Sequence, residues 1–503
     1  MNDNIVPRMC RFLICSLWIA CRCAAAAASG PAPTPISLAE CLEMALVNNL
    51  ELQNERINPE ISREDQTIAR AGYDPSFRVS AQHYYEEAPG GQTNADSVNP
   101  TSRTETDSFQ ASVAGTGPLG LKYEVGGALS ETESPYGESA RGTFGVTLTQ
   151  PLLKNFLLDD VSYNTRIAEN RVYGAGIQLE TTLQSLVTRV AAAYYALCYA
   201  RENVRVQTEG IALARQLRDD NRRRVEIGAM TPLDESQAES QIAAREADLS
   251  NAKMAYATAQ NLLKSLIYSD YMAMQAVLLD PSDPLSDAPP DLDPQASWKR
   301  ALQSRPELIK KRIDIEGMGI TVRYLKNRVL PELDLIGSAG FAASDADSFQ
   351  DAFSDMADAD EPYWSAGIQI SVPLNNAAAR AKYRQGKLQA EQSLIALKKQ
   401  EQAVLIEVDE AIQRVRTRYD RMLSTRQSRA YAEQSLDAEQ KKMKSGNSTS
   451  FVVLQLQRDL IAARAEEIGA LVDYQVARIE LRRAEGGILQ SLNVLPESDK
   501  APQ

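Results

Sequence analysis

The sequence predicts a mixed α and β membrane protein with internal structural duplication, built from long coiled-coil-like helices and a transmembrane β-barrel. One observation is a stretch from residue 374 to residue 495 that contains no proline and is polar at most positions. A second is a set of short segments in which apolar and polar residues alternate. A third is a group of residue pairs that recurs at one constant offset. Together they favour extended helices and a half-wetted sheet over one large globular core.

The proline-free stretch predicts a long helical hairpin. Globular helices rarely exceed about 20 residues, so a run of this length is typical of coiled-coil-like helices. Its apolar residues are spaced alternately four and three apart, which places them on one stripe of a helix. They are Val408, Ile412, Val415, Tyr419 and Met422. The break at Ser445-Gly446-Asn447 predicts the tip of the hairpin, and an arm on the order of 95 Å needs partners along its length.

The alternating segments predict strands of a barrel wall, because period two with one apolar and one polar face suits a wall between lipid and water. They are residues 77–82, 146–149, 333–336 and 368–372, with two further candidates, 109–113 and 122–129, joined at residues 117–120. A barrel needs about eight strands, so four to six cannot close one and several copies must assemble. Three copies would give about twelve or eighteen strands, and the sequence leaves both open.

The chain repeats its plan after a fixed interval. The matches, all at an offset of 256, are Ala45-Leu46 with Ala301-Leu302, Glu51-Leu52 with Glu307-Leu308, Arg56-Ile57 with Arg312-Ile313, and Pro75 with Pro331. Each repeat is expected to begin with one long helix, over residues 38–71 and 296–328. Strands and a helical hairpin follow, with tips near Gly228 and Gly446.

The predicted organisation therefore has five parts. They are a signal peptide at 1–28, a first repeat at 36–280, a proline-rich linker at 281–294, a second repeat at 295–495 and a disordered tail at 496–503. The leader has Arg8 and Arg11 before an apolar run and small residues after it, which is the order of a secretory signal. Ile19-Ala20-Cys21 also resembles a lipoprotein cleavage site, so lipidation of Cys21 and ordinary cleavage remain alternatives. Either predicts export.

Charge and cysteine content further narrow the class of protein to which the chain can belong. The formal net charge of −13, without a basic run that contains aromatic residues, argues against a nucleic-acid binder. Cys41 and Cys198 are the cysteines beyond the leader, and two buried thiols are favoured over a disulfide. After the leader no stretch has 18 uncharged apolar residues, so a membrane crossing would have to be a barrel.

The chain resembles the TolC family of outer-membrane efflux channels. The resemblance rests on the opening segment 37–49, the Tyr73-Asp74-Pro75-Ser76-Phe77 segment, Gln150-Pro151-Leu152-Leu153 and the two tips at 228–234 and 446–454. It implies a homotrimer whose strands form a barrel in outer-membrane lipid and whose hairpins form a tube across the periplasm. It also implies a passive duct of a tripartite efflux or type I secretion system, with a periplasmic adaptor protein and an inner-membrane pump as partners. The alternative is a periplasmic coiled-coil structural or adaptor protein without a barrel.

The resemblance also implies roles for both tips. The residues expected to dock the adaptor are Gly228, Ala229, Met230, Thr231, Pro232 and Leu233 on the first tip, with Gly446, Asn447, Ser448 and Thr449 on the second. Positions that are acidic in several relatives are Val452 and Gln455 here, which departs from the pattern, so Asp234 and Glu235 become the acidic candidates for a pore constriction. Alternatively, Asp234 caps the returning helix with Gln237 at the capping-box position.

Other motifs predict no chemistry. Residues 115–120 match G-x-G-x-x-G but open no helix, which favours a tight turn over a dinucleotide site. His83 is the only histidine, which leaves no pair for a zinc site or a nucleophile and base. The acidic run 345–361 lacks the ligand spacing of an EF-hand and is expected to be a solvated loop. The sequence therefore predicts no enzyme, no cofactor and no metal.

Overall fold

The structure is a computed structural model, and it describes residues 34–88, 92–94, 97–98, 102–134, 137–228, 230–346, 348–359 and 361–492. Its contacts divide the chain into two compact units. The first unit consists of residues 1–56, 179–306 and 401–503, and the second of residues 57–178 and 307–400. Each unit is thus assembled from stretches that lie far apart in the sequence.

Long helices and one large sheet make up most of the described residues. The helices are α1 (Leu38–Asn48), α2 (Leu50–Arg70), α3 (Asp160–Glu226), α4 (Pro232–Ile267), α5 (Tyr271–Met274), α6 (Pro294–Ser304), α7 (Pro306–Asn327), α8 (Phe349–Asp358), α9 (Ala377–Lys444), α10 (Ser450–Ala484) and α11 (Ile488–Ser491). The strands are β1 (Thr34–Ile36), β2 (Ser76–Ala88), β3 (Gln92–Asn94), β4 (Ser97–Val98), β5 (Ser102–Thr116), β6 (Lys122–Ser134), β7 (Gly137–Pro151), β8 (Leu279–Pro281), β9 (Glu332–Ala346) and β10 (Glu361–Ser371). None of the helices described is both long and apolar enough to span a membrane.

The helices expected over residues 38–71 and 296–328 are each broken in two, so the prediction of single helices is wrong. Asn49 separates α1 from α2 and Arg305 separates α6 from α7, with extended backbones at ψ 121° and 122°. The Asn49 side-chain oxygen accepts a hydrogen bond from the amide three residues later and so caps the start of α2. Pro306 disfavours a helical conformation at the residue before it. The two breaks lie 256 residues apart, which is the interval of the repeat.

The core of the first unit gathers apolar residues of α1, α3, α4 and α11 beside the parallel pair β1 and β8. Tyr194 is fully buried there. Its hydroxyl donates to Asp283 Oδ2 at 3.0 Å and accepts from the Asp283 amide at 3.1 Å. Cys41 and Cys198 are free and buried in the same core, which confirms the prediction of two buried thiols. Burial raises the pKa of each thiol from 9.0 to about 12.

The second unit contains a six-stranded antiparallel sheet in the order β10-β9-β7-β6-β5-β2. The additional hairpin predicted in the first repeat, β5 and β6, therefore belongs to this sheet. The G-x-G-x-x-G segment is the turn between these two strands, where Gly120 has a φ of +78° that favours glycine. β2 and β10 form the two edges.

The two faces of the sheet differ in polarity, because residues directly opposite across antiparallel strands share a face. One row of facing residues is Phe77, Val113, Val125, Val146, Ala339 and Trp364. The next row lies on the other face and is Ser76, Ala114, Glu124, Thr147, Ser338 and Ser365. We call these the apolar face and the polar face. Phe77 and Trp364 are 71% and 80% exposed, so the chain itself leaves these side chains uncovered.

A row of three glycines crosses the polar face. Gly126, Gly145 and Gly340 pair directly across β6, β7 and β9, and Tyr363 of β10 faces Gly340. The Tyr363 ring reaches across this row, because a Cβ added at Gly340 would lie 2.8 Å from its hydroxyl oxygen and 2.6 Å from Gly145 Cα. Glycine is therefore required where the ring and the neighbouring backbone approach closely.

The acidic run 345–361 contains a helix, α8, so the expectation of a solvated loop there is wrong. Ser348 is the N-cap, and its hydroxyl oxygen accepts a hydrogen bond from the Asp351 amide at 3.3 Å. Phe349, Ala352 and Met356 are spaced three and four apart, which gives the helix one apolar side despite its acidic composition.

Candidate functional site

The first hairpin tip lies between α3 and α4. The backbone reverses at Gly228, whose φ of +75° suits glycine, and the Gly228 amide donates to the Val225 carbonyl at 2.9 Å. Met230 continues the turn by donating its amide to the Arg224 carbonyl at 3.2 Å. Pro232 then occupies the first turn of α4, where its missing N–H costs nothing. Ala229 of the predicted docking set lies outside the described residues, as does Cys21.

Asp234 holds the start of α4 from inside the helix. Thr231 is the N-cap, and both its amide and its hydroxyl donate to Asp234 Oδ2, at 3.1 Å and 2.8 Å. The idea that Asp234 is itself the cap, with Gln237 as its partner, is therefore wrong, because the helix begins earlier at Pro232. Asp234 remains half-exposed, so its charge is also available to solvent.

The second tip lies between α9 and α10 and uses the same device. Gly446 has a φ of +79°, and its amide donates to the Met443 carbonyl at 3.2 Å. Ser448 donates its hydroxyl to Glu439 Oε1 at 2.6 Å, and Lys442 lies 3.1 Å from the same carboxylate. These two contacts lower the pKa of Glu439, the Ser448 hydrogen bond more than Lys442. Thr449 is the N-cap of α10.

The constriction candidates are dispersed over the two tips. Val452 is 39% exposed, and Gln455 is exposed and donates to Asp459 Oδ1 at 3.0 Å. Glu235 is half-exposed next to Asp234. Among the contacts of these four residues in the described chain, no hydrogen bond or ion pair joins the first pair to the second. The described contacts therefore place the four residues at the tips without a direct polar link between the two pairs.

Two residues of α3 join the tips, and neither was among the candidates selected from the sequence. Asn221 of α3 is fully buried, and its Nδ2 donates to Ser450 Oγ at 2.6 Å and to the Asp234 carbonyl at 3.2 Å. Its Oδ1 is buried without a hydrogen-bond partner. Arg224, one turn further on, donates to the Met443 carbonyl at 2.9 Å. Polar groups of the first hairpin thus bind both ends of the second turn.

Apolar packing beneath these bonds joins the same elements. The buried cluster consists of Leu217, Leu436, Met443, Val453, Leu454 and Leu460, from α3, α9 and α10. Asn221 is itself buried one helical turn from Leu217 of this cluster, so an unpaired polar atom there is costly. The sequence does not reveal that Asn221 is buried. The residue stands directly before three arginines, a pattern typical of a solvated helix face.

Within the described residues, no group of three His, Cys, Asp or Glu side chains is placed to hold a metal ion. The features left to explain are the duplicated helical hairpins, the joined tips and the sheet with one exposed apolar face. Exposed apolar surface on this scale marks an interaction surface, including contact with lipid. Taken together, these features are typical of channel proteins that reach from a membrane into an aqueous compartment.

Comparison with known proteins agrees. Residues 41–267 and 298–487 match the family model described as outer membrane efflux protein. The outer membrane efflux protein BepC of Brucella suis is 26% identical over 347 residues, which cover 69% of this chain and 72% of BepC. The probable efflux pump outer membrane protein TtgC of Pseudomonas putida is 21% identical over a region that covers 90% of this chain and 83% of TtgC. The outer-membrane channel OprN has the same fold, with a TM-score of 0.67 at 17% identity and 90% coverage of both chains.

The chain belongs to the outer membrane efflux protein family. It is an outer-membrane channel protein of efflux systems, located in the outer membrane and extending into the periplasm. The resemblance to the TolC family drawn from the sequence is thereby confirmed.

Proposed function

We propose that three copies of the chain join their sheets into one closed transmembrane barrel and their hairpins into one passive duct across the periplasm and outer membrane. The observation that carries this proposal is the pair of open edges on the sheet. Every residue of β2 and of β10 is exposed in the single chain. In lipid, unpaired backbone groups along such edges cost several kcal/mol each, so each edge requires a partner strand.

Strand direction supports closure by identical copies. The six strands alternate in direction, so the two edges β2 and β10 run oppositely to each other. β10 of one copy can therefore pair antiparallel with β2 of the next, and the ring closes on itself. With six strands in each copy, three copies make a barrel of about eighteen strands, an even number within the usual range.

The two faces then acquire distinct roles. The apolar face would contact lipid, and the polar face, with the facing hydroxyls of Ser338 and Ser365 2.7 Å apart, would line a water-filled passage. An exposed apolar face of this extent argues against the alternative of a water-soluble periplasmic protein, which would have to cover it. The side chains of the polar face can interact with water and solutes but would supply no energy. Transport would therefore depend on an energy source elsewhere.

The tips are proposed as the end of the duct that meets an adaptor protein. TtgC is named as the outer-membrane protein of an efflux pump, which supports a tripartite arrangement with an adaptor and an inner-membrane pump. A role in type I secretion would use the same duct and would differ from a role in efflux only in the transported substrate. In a trimer, three copies of Asp234 around an axis would favour cations and repel each other.

The barrel is tested by placing one arginine on each face of β7. Val146 on the apolar face and Thr147 on the polar face are adjacent and both exposed. Val146→Arg places a cation against lipid near the middle of the wall, at a cost of about 2–4 kcal/mol, whereas Thr147→Arg places it in water. We expect Val146→Arg to remove the protein from the outer-membrane fraction and Thr147→Arg to leave it there as a trimer by native mass spectrometry. Equal recovery of both variants, or a monomeric mass for the parent protein, would refute the proposal.

The constriction is tested by separating the charge of Asp234 from its capping role. Asp234→Gln keeps an oxygen that Thr231 can bind, and Asp234→Ala removes both functions. If the carboxylate controls ions, both variants lower the cation preference of the reconstituted channel. If the residue only holds α4, Asp234→Gln behaves as the parent protein and Asp234→Ala alone loosens the tip.

A further inference from the structure

The helix α8, which connects β9 to β10, lies against the apolar face of the sheet. Ala352 is fully buried between the helix and the sheet, and its carbonyl oxygen lies 3.2 Å from the position of a Cβ at Gly142 of β7. Ala140 and Ala343 are buried beneath it, and Leu129 and Met356 pack beside them. Small side chains on β7 and β9 thus form a shallow seat for the helix.

An aromatic contact fixes one end of α8 on that seat. The rings of Phe349 and Phe109 meet edge to face, with centroids 5.4 Å apart and planes at 69°. Phe109, Leu129, Gly142 and Ala343 form one row of facing residues. The helix therefore covers one end of the apolar face and leaves the polar face clear.

The seat lies where the apolar face ends. Between α8 and the end of the sheet where β2 begins, the rows of the apolar face contain residues such as Phe77 and Val79. On the other side, the next row contains His83 and Asp107, whose side chains are 2.7 Å apart. The row after that contains Tyr85, Glu105, Glu133 and Glu138. α8 thus marks the change from apolar to charged residues.

The apolar rows, up to and including the row on which α8 rests, match the lipid-facing band of a membrane barrel in height. They extend along β9 from Leu333 to Ala343, on the order of 34 Å of strand at about 3.4 Å per residue. A barrel strand tilted by about 40–45° then spans roughly 25 Å, the usual height of the lipid-facing band. The position of α8 accordingly coincides with the level of the lipid headgroups.

The side of α8 that the sheet does not cover is itself divided. Phe353 is 58% exposed and Ala357 is exposed beside it, one turn along the helix. Asp351, Asp355 and Asp358 are exposed on the opposite edge, because successive residues of a helix are separated by about 100°. A division into an apolar and a charged edge is shared with helices that lie in a membrane interface, although the charged edge here is acidic where such helices are usually basic.

We infer that α8 is an interfacial helix that rests on the outer leaflet of the outer membrane and sets the depth of the sheet in it. Phe353 and Ala357 lie among the upper acyl chains, and the three aspartates face water, away from the anionic headgroups that would repel them. The inference rests on the proposed function, because it requires the apolar face to contact lipid. It adds the specific segment that ends the lipid contact on the extracellular side.

Nitroxide labels measure the depth of each edge directly. We would replace Phe353, Asp355, Val79 and Ser80 one at a time by cysteine, label them and reconstitute the full-length protein into dioleoylphosphatidylcholine liposomes. Collision of the label with oxygen reports lipid, and collision with a water-soluble nickel chelate reports water. The parent protein supplies the background, because Cys41 and Cys198 are buried. Ala357→Cys lies on the same edge and replaces Phe353→Cys if that variant does not fold.

We expect an oxygen-to-nickel collision ratio several-fold higher at residue 353 than at residue 355, and a ratio at 79 that exceeds the one at 80. A lipid-like label at 79 with water-like labels at both 353 and 355 would overturn the interfacial helix and leave the barrel intact. Water-like labels at both 79 and 80 would instead overturn the proposed function. Dipolar broadening at 353 would show that α8 lies close to the α8 of a neighbouring copy and not against lipid, which also overturns the inference.

Discussion

Replacement of Ser450 by alanine is expected to loosen the junction of the two tips more than removal of both partners does. Ser450 Oγ accepts a hydrogen bond from Asn221 Nδ2 at 2.6 Å, and both residues are fully buried. Ser450→Ala removes this acceptor and leaves one N–H of a buried amide unpaired. Asn221 Oδ1 already has no partner, so the amide would then lack two.

The magnitude follows from the cost of an unpaired buried donor, about 1–3 kcal/mol. Because about 1.4 kcal/mol is a factor of ten, local opening of the tip should become roughly 5-fold to 150-fold more frequent. The double variant Asn221→Leu with Ser450→Ala replaces both polar groups by apolar ones of similar volume. It also removes the orphaned Oδ1, so it should lie close to the parent protein.

The assay is amide hydrogen exchange, followed by mass spectrometry, on peptides from the first turns of α4 and α10. Ser236→Ala is the matched control, because Ser236 is an exposed serine on α4 of the same tip. An exchange rate in Ser450→Ala within twofold of this control would refute the reasoning. So would a double variant that exchanges as fast as the single one, because the effect would then not arise from an unpaired group.

Two further outcomes follow from a close backbone contact in the sheet and from two buried thiols. Gly340→Ala should prevent accumulation of the folded protein in the outer-membrane fraction, because the new Cβ would lie 2.6 Å from Gly145 Cα. Gly337→Ala on the same strand is the control and should be neutral, because its Cβ would meet nothing within 4 Å. Equal yields of the two variants would contradict this reasoning. Cys41 and Cys198, with pKa values raised to about 12, should resist iodoacetamide at pH 8 in the folded protein and react after unfolding in urea, as measured by peptide mass spectrometry. Their neutral thiols contribute to stability below pH 9, and this contribution is lost as the pH rises from 9 towards 12. Equal alkylation of folded and unfolded chains would show that the thiols are accessible.

The strands and hairpins could be predicted because each leaves a periodic trace. Alternation around Phe77 and Val146 follows from a sheet with two unlike faces, and the four-and-three spacing around Val408 follows from helices that pack along one stripe. Gly228 and Gly446 indicate turns because both require a positive φ. These features depend on local sequence, so no tertiary information was needed.

Other features are set by local signals that conflict with each other or by packing between distant segments. Pro306 favours a break at the residue before it, but the helical pattern continues on both sides of it and by itself predicts one helix. The helix α8 was missed because its acidic composition obscured the spacing of Phe349, Ala352 and Met356. Burial of Asn221 arises only when the two hairpins meet, so a polar residue within a charged segment carried no sign of its role.

The glycine row on the polar face has a consequence for the calibre of the passage. At that level three neighbouring strands present bare backbone, and the Tyr363 side chain reaches across it, close to Gly340 and Gly145. In a closed ring of three copies, this ledge would recur three times around the circumference. In the proposed barrel, a bulkier side chain at Gly145 or Gly340 would tilt the aromatic ring inward, so the absence of side chains there would widen the passage at this level.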